Sequence, residues 1–179
     1  LKANRPGCDM TVVRLSWHSV KITTETNRMD SRYLEDLKMG DTFVCPGVTI
    51  TESDIISFGM AFDPQPFHVN ALSASNSIYG GLIASGFHII SLSFRLFMQL
   101  GVFHDSSMGS PGIDEVRWTM PVRPGDTLHS EVIVESVALS RSKPDRGVAK
   151  LKFMVMNQRS EEVASYYLNL MLKSRTVLG

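Results

Sequence analysis

Cysteine is scarce in this chain: Cys8 and Cys45 are the two present in 179 residues. Two are too few for a disulfide framework, and they lack the paired spacing of a zinc site. Net charge is also missing, since eighteen basic residues balance eighteen acidic ones. No global field therefore draws the protein to nucleic acid or to an anionic membrane surface, and neither is expected as a partner. Long apolar runs are absent too. The longest, FHIISLSFRLFMQLGVF from Phe87 to Phe103, is short for a bilayer span and carries His88 and Arg95 within it. It reads as a buried helix of a soluble protein. The opening LKANRPGCDM holds no apolar h-region, which together with the cysteine usage leads to the expectation of a cytoplasmic protein. Internal repeats and low-complexity segments are lacking as well.

What remains is enough for one domain with a sizeable core. Residues 1–30 show no sustained period and are expected to be an N-terminal extension that need not be ordered, with the folded domain spanning 31–179. Gly40-Asp41 and Pro46-Gly47 are turn signals around a strand at Phe43 to Cys45. Thr51, followed by Glu52, Ser53 and Asp54, has the pattern of a helix N-terminus, and the helix should end where Asp63 meets Pro64. A small helix is expected within Asn70 to Ser77. Ser85 stands where an N-cap should be, so Gly86 would begin the long helix. On that helix His88, Ser91, Arg95 and Gln99 form one polar stripe, and the remaining surface should be wrapped by sheet. Buried in such a helix, Arg95 would need a carboxylate or carbonyl partner, and His88 reads as a structural histidine.

From Ile113 the period changes to two. Val116, Trp118 and Met120 alternate with Glu115, Arg117 and Thr119, and LHSEVIVESVAL, GVAKLKFMVMN and VASYYLNLMLK supply three further strands. The four strands can pair as an antiparallel meander around the helix, an α+β arrangement. Methionines such as those of LKFMVMN are expected to fill gaps in the core. The basic turn ALSRSKPDRG, with Arg141, Lys143 and Arg146, reads first as a solvated loop and second as a partner for phosphates.

The segment FDPQPFHVNA concentrates the chemistry. Pro64 and Pro66 each fix a φ angle and bias Asp63 and Gln65 toward extended geometry, so Asp63 and His68 are held in a fixed relation at low entropic cost. A carboxylate beside an imidazole can handle one water between them. By spacing alone most such pairs are turn or surface residues. A glycine amide at the first turn of a helix can meet a developing oxyanion, although Gly81 and Gly86 could equally serve close packing.

Taken together, YLEDLKMGDTF, TITESDIISFGMAFDPQPFHVNA, GGLIASGFHIISL and VRWTMPVRPGDTLHSEV resemble the MaoC-like dehydratases, among them the (R)-specific enoyl-CoA hydratases. The resemblance runs from about Tyr33 to Lys173. It implies a hot-dog fold, an antiparallel sheet wrapped around a long central helix. It also implies that Asp63 and His68 activate a water that adds across the double bond of an enoyl thioester, or do the reverse, with the Gly86 amide as oxyanion donor. Gln65, Pro66 and Ser85 would then lie against substrate. No metal or redox cofactor is implied, because coenzyme A arrives as part of the substrate, and a homodimer is the implied assembly. A hot-dog acyl-CoA thioesterase and a non-catalytic acyl-CoA-binding subunit are the rival expectations.

Overall fold

The computed structural model describes residues 31–175, so the expectation for the first thirty residues lies outside the described chain. After a 3-10 turn at Leu34–Asp36 come β1 (Thr42–Val44), β2 (Val48–Thr49), α1 (Glu52–Phe62), α2 (Pro66–Val69), α3 (Ala71–Ser75) and α4 (Gly86–Gln99). The chain then forms β3 (Gly112–Trp118), β4 (Thr127–Leu139), β5 (Arg146–Met156) and β6 (Glu162–Lys173). All pairings are antiparallel, in the order β1-β4-β5-β6-β3, with β2 beside β4. The last four strands are therefore not a simple meander. While β4, β5 and β6 follow one another, β3 crosses to the far edge and pairs with β6, and β1 takes the other side of β4. Alternation within a strand says which residues share a face, not which strand is the neighbour.

Strict alternation in β5 buries Gly147, Ala149, Leu151, Phe153 and Val155, and β6 contributes Ala164, Tyr166, Leu168, Leu170 and Leu172 to the same core. Met154 and Met156 fall on the opposite face of β5 and are only half-buried, so they do not fill the core as expected. Against this sheet α4 lays Ile89, Leu92, Ser93, Leu96 and Phe97, a helical stripe at steps of three and four. Phe153 stacks on Tyr166 with centroids 4.5 Å apart and meets Phe97 edge-on at 5.2 Å. The Tyr166 hydroxyl and Ser93 Oγ lie 2.9 Å apart, which gives each buried polar group a partner. This is the hot-dog fold, α+β, that the resemblance implies.

The helix is less enclosed than its composition suggests. Phe87, Ser91, Phe94, Arg95 and Gln99 are exposed, so the sheet covers one face and leaves the other open. Arg95 is consequently exposed in the single chain, which by itself does not require a partner for it. The helix also stops at Gln99, before the apolar run ends, because Gly101 turns the chain with a φ of +71°. Among the described residues no helix is long and apolar enough to cross a membrane.

Candidate active site

Helix α1 starts with a capping box. Thr51 Oγ1 accepts from the Asp54 amide at 3.1 Å, and Asp54 Oδ2 accepts from the Thr51 amide at 2.9 Å. The helix ends at Asp63, whose amide still donates to the Gly59 carbonyl at 2.9 Å while its φ of −151° leaves helical space ahead of Pro64. Gln65 is extended, and Pro66 then opens α2 as its first residue, where a missing N–H costs nothing. The second proline thus begins a helical turn that carries His68, which the sequence reading had not resolved into helix.

Two close approaches bring Asp63 and His68 together. A Cβ on Gly59 would lie 2.8 Å from Val69 Cγ1 and 3.1 Å from His68 Cβ, so the glycine lets α1 and α2 touch. The extended segment before α4 supplies the other: the Ile83 amide donates to the Phe67 carbonyl, the Ala84 amide to Val122, and the Ile83 carbonyl lies 2.8 Å from His68 Nδ1. A carbonyl can only accept, so Nδ1 carries the proton and fixes the tautomer. In the neutral ring Nε2 then presents its lone pair 3.3 Å from Asp63 Oδ2.

Asp63 is held from both sides. Ser85 Oγ donates to Oδ2 at 2.6 Å, and Gln65 Nε2 donates to Oδ1 at 2.9 Å. The Ser85 bond above all holds its carboxyl below the usual carboxylate range; burial, the next influence, pushes it up, and the Gln65 bond and the nearby His68 lower it further. The carboxylate is ionised near neutral pH and lies beside the His68 ring. The two side chains stand side by side on the wall of one cleft, where a single water can be held against both.

The pair opens on a cleft of about 460 Å³, lined also by Gln65, Phe67, Tyr79, Ile83, Gly86, Trp118 and Val122. At its side Ser85 caps α4, accepting from the Phe87 amide at 3.2 Å. Gly86 is the first residue of the helix, where an amide lacks an intrahelical acceptor. Of the three residues expected against substrate, Ser85 is 1% exposed and turned onto Asp63, while Gln65 lines the cleft and also binds Asp63. Pro66 is exposed at the start of α2 and is not among the cleft's lining residues. The basic turn between β4 and β5 lies at the opposite end of strands that run thirteen residues in β4, roughly 40 Å at the usual rise. Arg141 and Lys143 are solvated there, and Arg146 pairs with Asp145 at 2.6 Å.

Sequence reasoning did not find Gly59, the Ile83 carbonyl or Trp118. A glycine inside a helix four residues before Asp63 was a usable signal of close packing. The carbonyl left none, since every residue has one.

Fold and site together define a hot-dog protein with an acid–histidine pair beside the N-terminus of its central helix. The chain matches the MaoC like domain over residues 37–154, and it belongs to the MaoC-like dehydratase family. It is similar to the (R)-specific enoyl-CoA hydratase of Rhodospirillum rubrum, 32% identical over 108 residues, covering 57% of this chain and 69% of that one. It is also similar to the uncharacterized protein YdeM of Bacillus subtilis, 27% identical over 140 residues, covering 78% of this chain and 98% of the relative. Among solved structures, the MaoC-like dehydratase from Rhodospirillum rubrum superposes with a TM-score of 0.74 at 34% identity, over 82% of this chain and all of the other.

Proposed function

We propose that the protein is a hydro-lyase that adds water to an enoyl-CoA thioester, or removes it from the 3-hydroxyacyl-CoA. The observation that carries this reading is the contact of His68 Nε2 with Asp63 Oδ2 at 3.3 Å, on the wall of a cleft at the start of α4. A water held against the pair on its cleft side loses a proton to Asp63 as its oxygen bonds to C3. The electron pair of the double bond moves through C2 onto the thioester oxygen, which the Gly86 N–H and the positive end of α4 stabilise. The proton held by the dyad passes through His68 to C2, so nothing is gained or lost beyond one water. The reaction needs no metal or redox group, and coenzyme A belongs to the substrate.

The lining supports a neutral acyl group. Among the cleft residues Asp63 and His68 are the ionisable groups near the reacting atoms, and neither lysine nor arginine lines the cleft. A second carboxylate on the acyl chain would meet the Asp63 charge without a lysine or arginine among the lining residues to offset it. A homodimer is proposed as the working assembly. Support comes from the exposed apolar side chains of the unpaired β3 edge and its continuation, Ile113 at 43%, Trp118 at 49% and Met120 at 38%.

The test follows the absorbance of the conjugated enoyl thioester with crotonyl-CoA, longer enoyl-CoAs and a mesaconyl-type ester. Signal loss with the neutral esters, and little with the dicarboxylate, is the expected result. Thiol release from a saturated acyl-CoA would instead establish a thioesterase, and saturable binding with no turnover a binding subunit.

Ser85→Ala gives a sharper check on the carboxylate. It removes the leading cause of the depressed Asp63 pKa, so that pKa rises and the acid limb of the kcat/KM profile moves to higher pH. In the wild type the depressed value also means that the Ser85 bond stabilises the fold above the ordinary aspartate range and ceases to do so as pH falls through the folded-state value. An acid limb unmoved by Ser85→Ala would show that a group other than Asp63 titrates in it.

A further inference from the structure

Trp118 stands out among the residues that the hydration chemistry leaves unused. It lies at the end of the edge strand, half exposed, and yet lines the same cleft as Asp63 and His68. A Cβ built on Gly86 would meet Trp118 Cε2 at 2.3 Å, Nε1 at 2.5 Å and Cζ2 at 2.8 Å. With Cε2 nearest and Nε1 and Cζ2, both bonded to it, slightly farther, Gly86 sits over the face of the indole and not at its edge. Phe87, the next residue of α4, meets the same ring edge-on with centroids 6.1 Å apart. The ring is therefore clamped on the first turn of the central helix, with about half of the residue left uncovered by this chain.

The strand is built to aim it there. Between Asp114 and Arg117 the register of β3 against β6 shifts, and Glu115 takes a φ of +52°, left-handed space that a non-glycine residue enters at a cost. A bulge inserts one residue and so changes which face the following side chains take. Beyond it Trp118 pairs with Ala164, and the Thr119 amide donates to the Val163 carbonyl at 3.0 Å. Strain three residues before the ring, followed by a firmly paired strand end, directs the indole onto Gly86.

We infer that Trp118 is a positioning residue: its indole is the wall that keeps water off the Gly86 amide and holds the thioester carbonyl against it. An N–H donor stabilises a developing oxyanion more strongly where water does not compete for it. Glycine at position 86 is then required by the indole, which fills the space a Cβ would take. The inference rests on the hydratase reading of the same cleft.

The test compares wild type, Trp118→Phe and Trp118→Ala in hydration of crotonyl-CoA, with the mass of each in solution measured alongside. Trp118→Ala is expected to lose about 30-fold in kcat, a part of the loss typical of deleting an oxyanion donor, with KM changed less than threefold. Trp118→Phe, which keeps an aromatic wall, should stay within a few-fold of wild type. Infrared difference spectra of the bound enoyl thioester supply a readout that a merely structural role would not move: the carbonyl stretch should lie closer to its frequency in water in Trp118→Ala. A wild type that hydrates crotonyl-CoA, together with a Trp118→Ala of equal mass, equal kcat and unchanged carbonyl frequency, overturns the inference. A third arm does not depend on turnover. With Trp17→Phe leaving Trp118 as the sole tryptophan, saturating butyryl-CoA should shift its emission. A shift in a chain that hydrates nothing would count against the hydratase reading while keeping the indole at the thioester site, and no shift would overturn the wall.

Discussion

Asp63→Asn should lower kcat for enoyl-CoA hydration by roughly 10²–10⁴-fold, the usual contribution of a positioned general base, and leave KM nearly unchanged. The carboxamide has almost the shape of the carboxylate, and its oxygen can still accept from Ser85 Oγ, which lies 2.6 Å from Oδ2 in the wild type. Charge and basicity are what the change removes. His68→Ala should cost a comparable factor, because Nε2 lies 3.3 Å from Asp63 Oδ2 and the two side chains would hold one water. If they act as one unit, the double variant is barely slower than the worse single variant, since a water misplaced by one loss gains little from the other. Stopped-flow absorbance of the enoyl thioester measures all three, with circular dichroism to show that each is folded. A folded Asp63→Asn at wild-type speed would remove the mechanism.

Phe153→Ala should have the largest effect on stability, about 3–5 kcal/mol. The ring is fully buried in the middle of β5, stacked on Tyr166 of β6 and packed edge-on against Phe97 of α4, so its removal opens a cavity where sheet and helix meet. For a chain of this size the melting temperature should fall on the order of 10 °C. Urea unfolding should show a lower midpoint with an unchanged slope, because the variant exposes nearly the same surface on unfolding as the wild type. A loss below about 1 kcal/mol would mean that Phe153 is not the junction between sheet and helix that its contacts describe.

Much of the fold was legible because it rests on local rules. Thr51 and Asp54 cap α1, the Asp63-Pro64 step ends it, and Ser85 caps α4 ahead of Gly86, all as their residue types require. The alternating runs from Leu128 onward became β4, β5 and β6 with nearly the boundaries their periods suggested. Where the reading departed, a long-range term was responsible. The crossing of β3 to the far side of β6, the open face of α4 with Arg95 in solvent, and the outward Met154 and Met156 all depend on which neighbour an element finds. Turn composition and period carry no record of that choice.

The sequence by itself determined the elements, the family resemblance and the pairing of an acid with a histidine across two prolines. These follow from spacing, propensity and backbone restriction over a few residues. The tertiary structure alone decided how that pair is used. It placed Ser85 on the carboxylate instead of in the acyl channel, set the His68 tautomer through the Ile83 carbonyl, and brought Trp118 from the edge strand onto Gly86. Each of those contacts joins residues at least fifteen positions apart in the chain. Their energies depend on distance in space, and only the folded chain sets that distance.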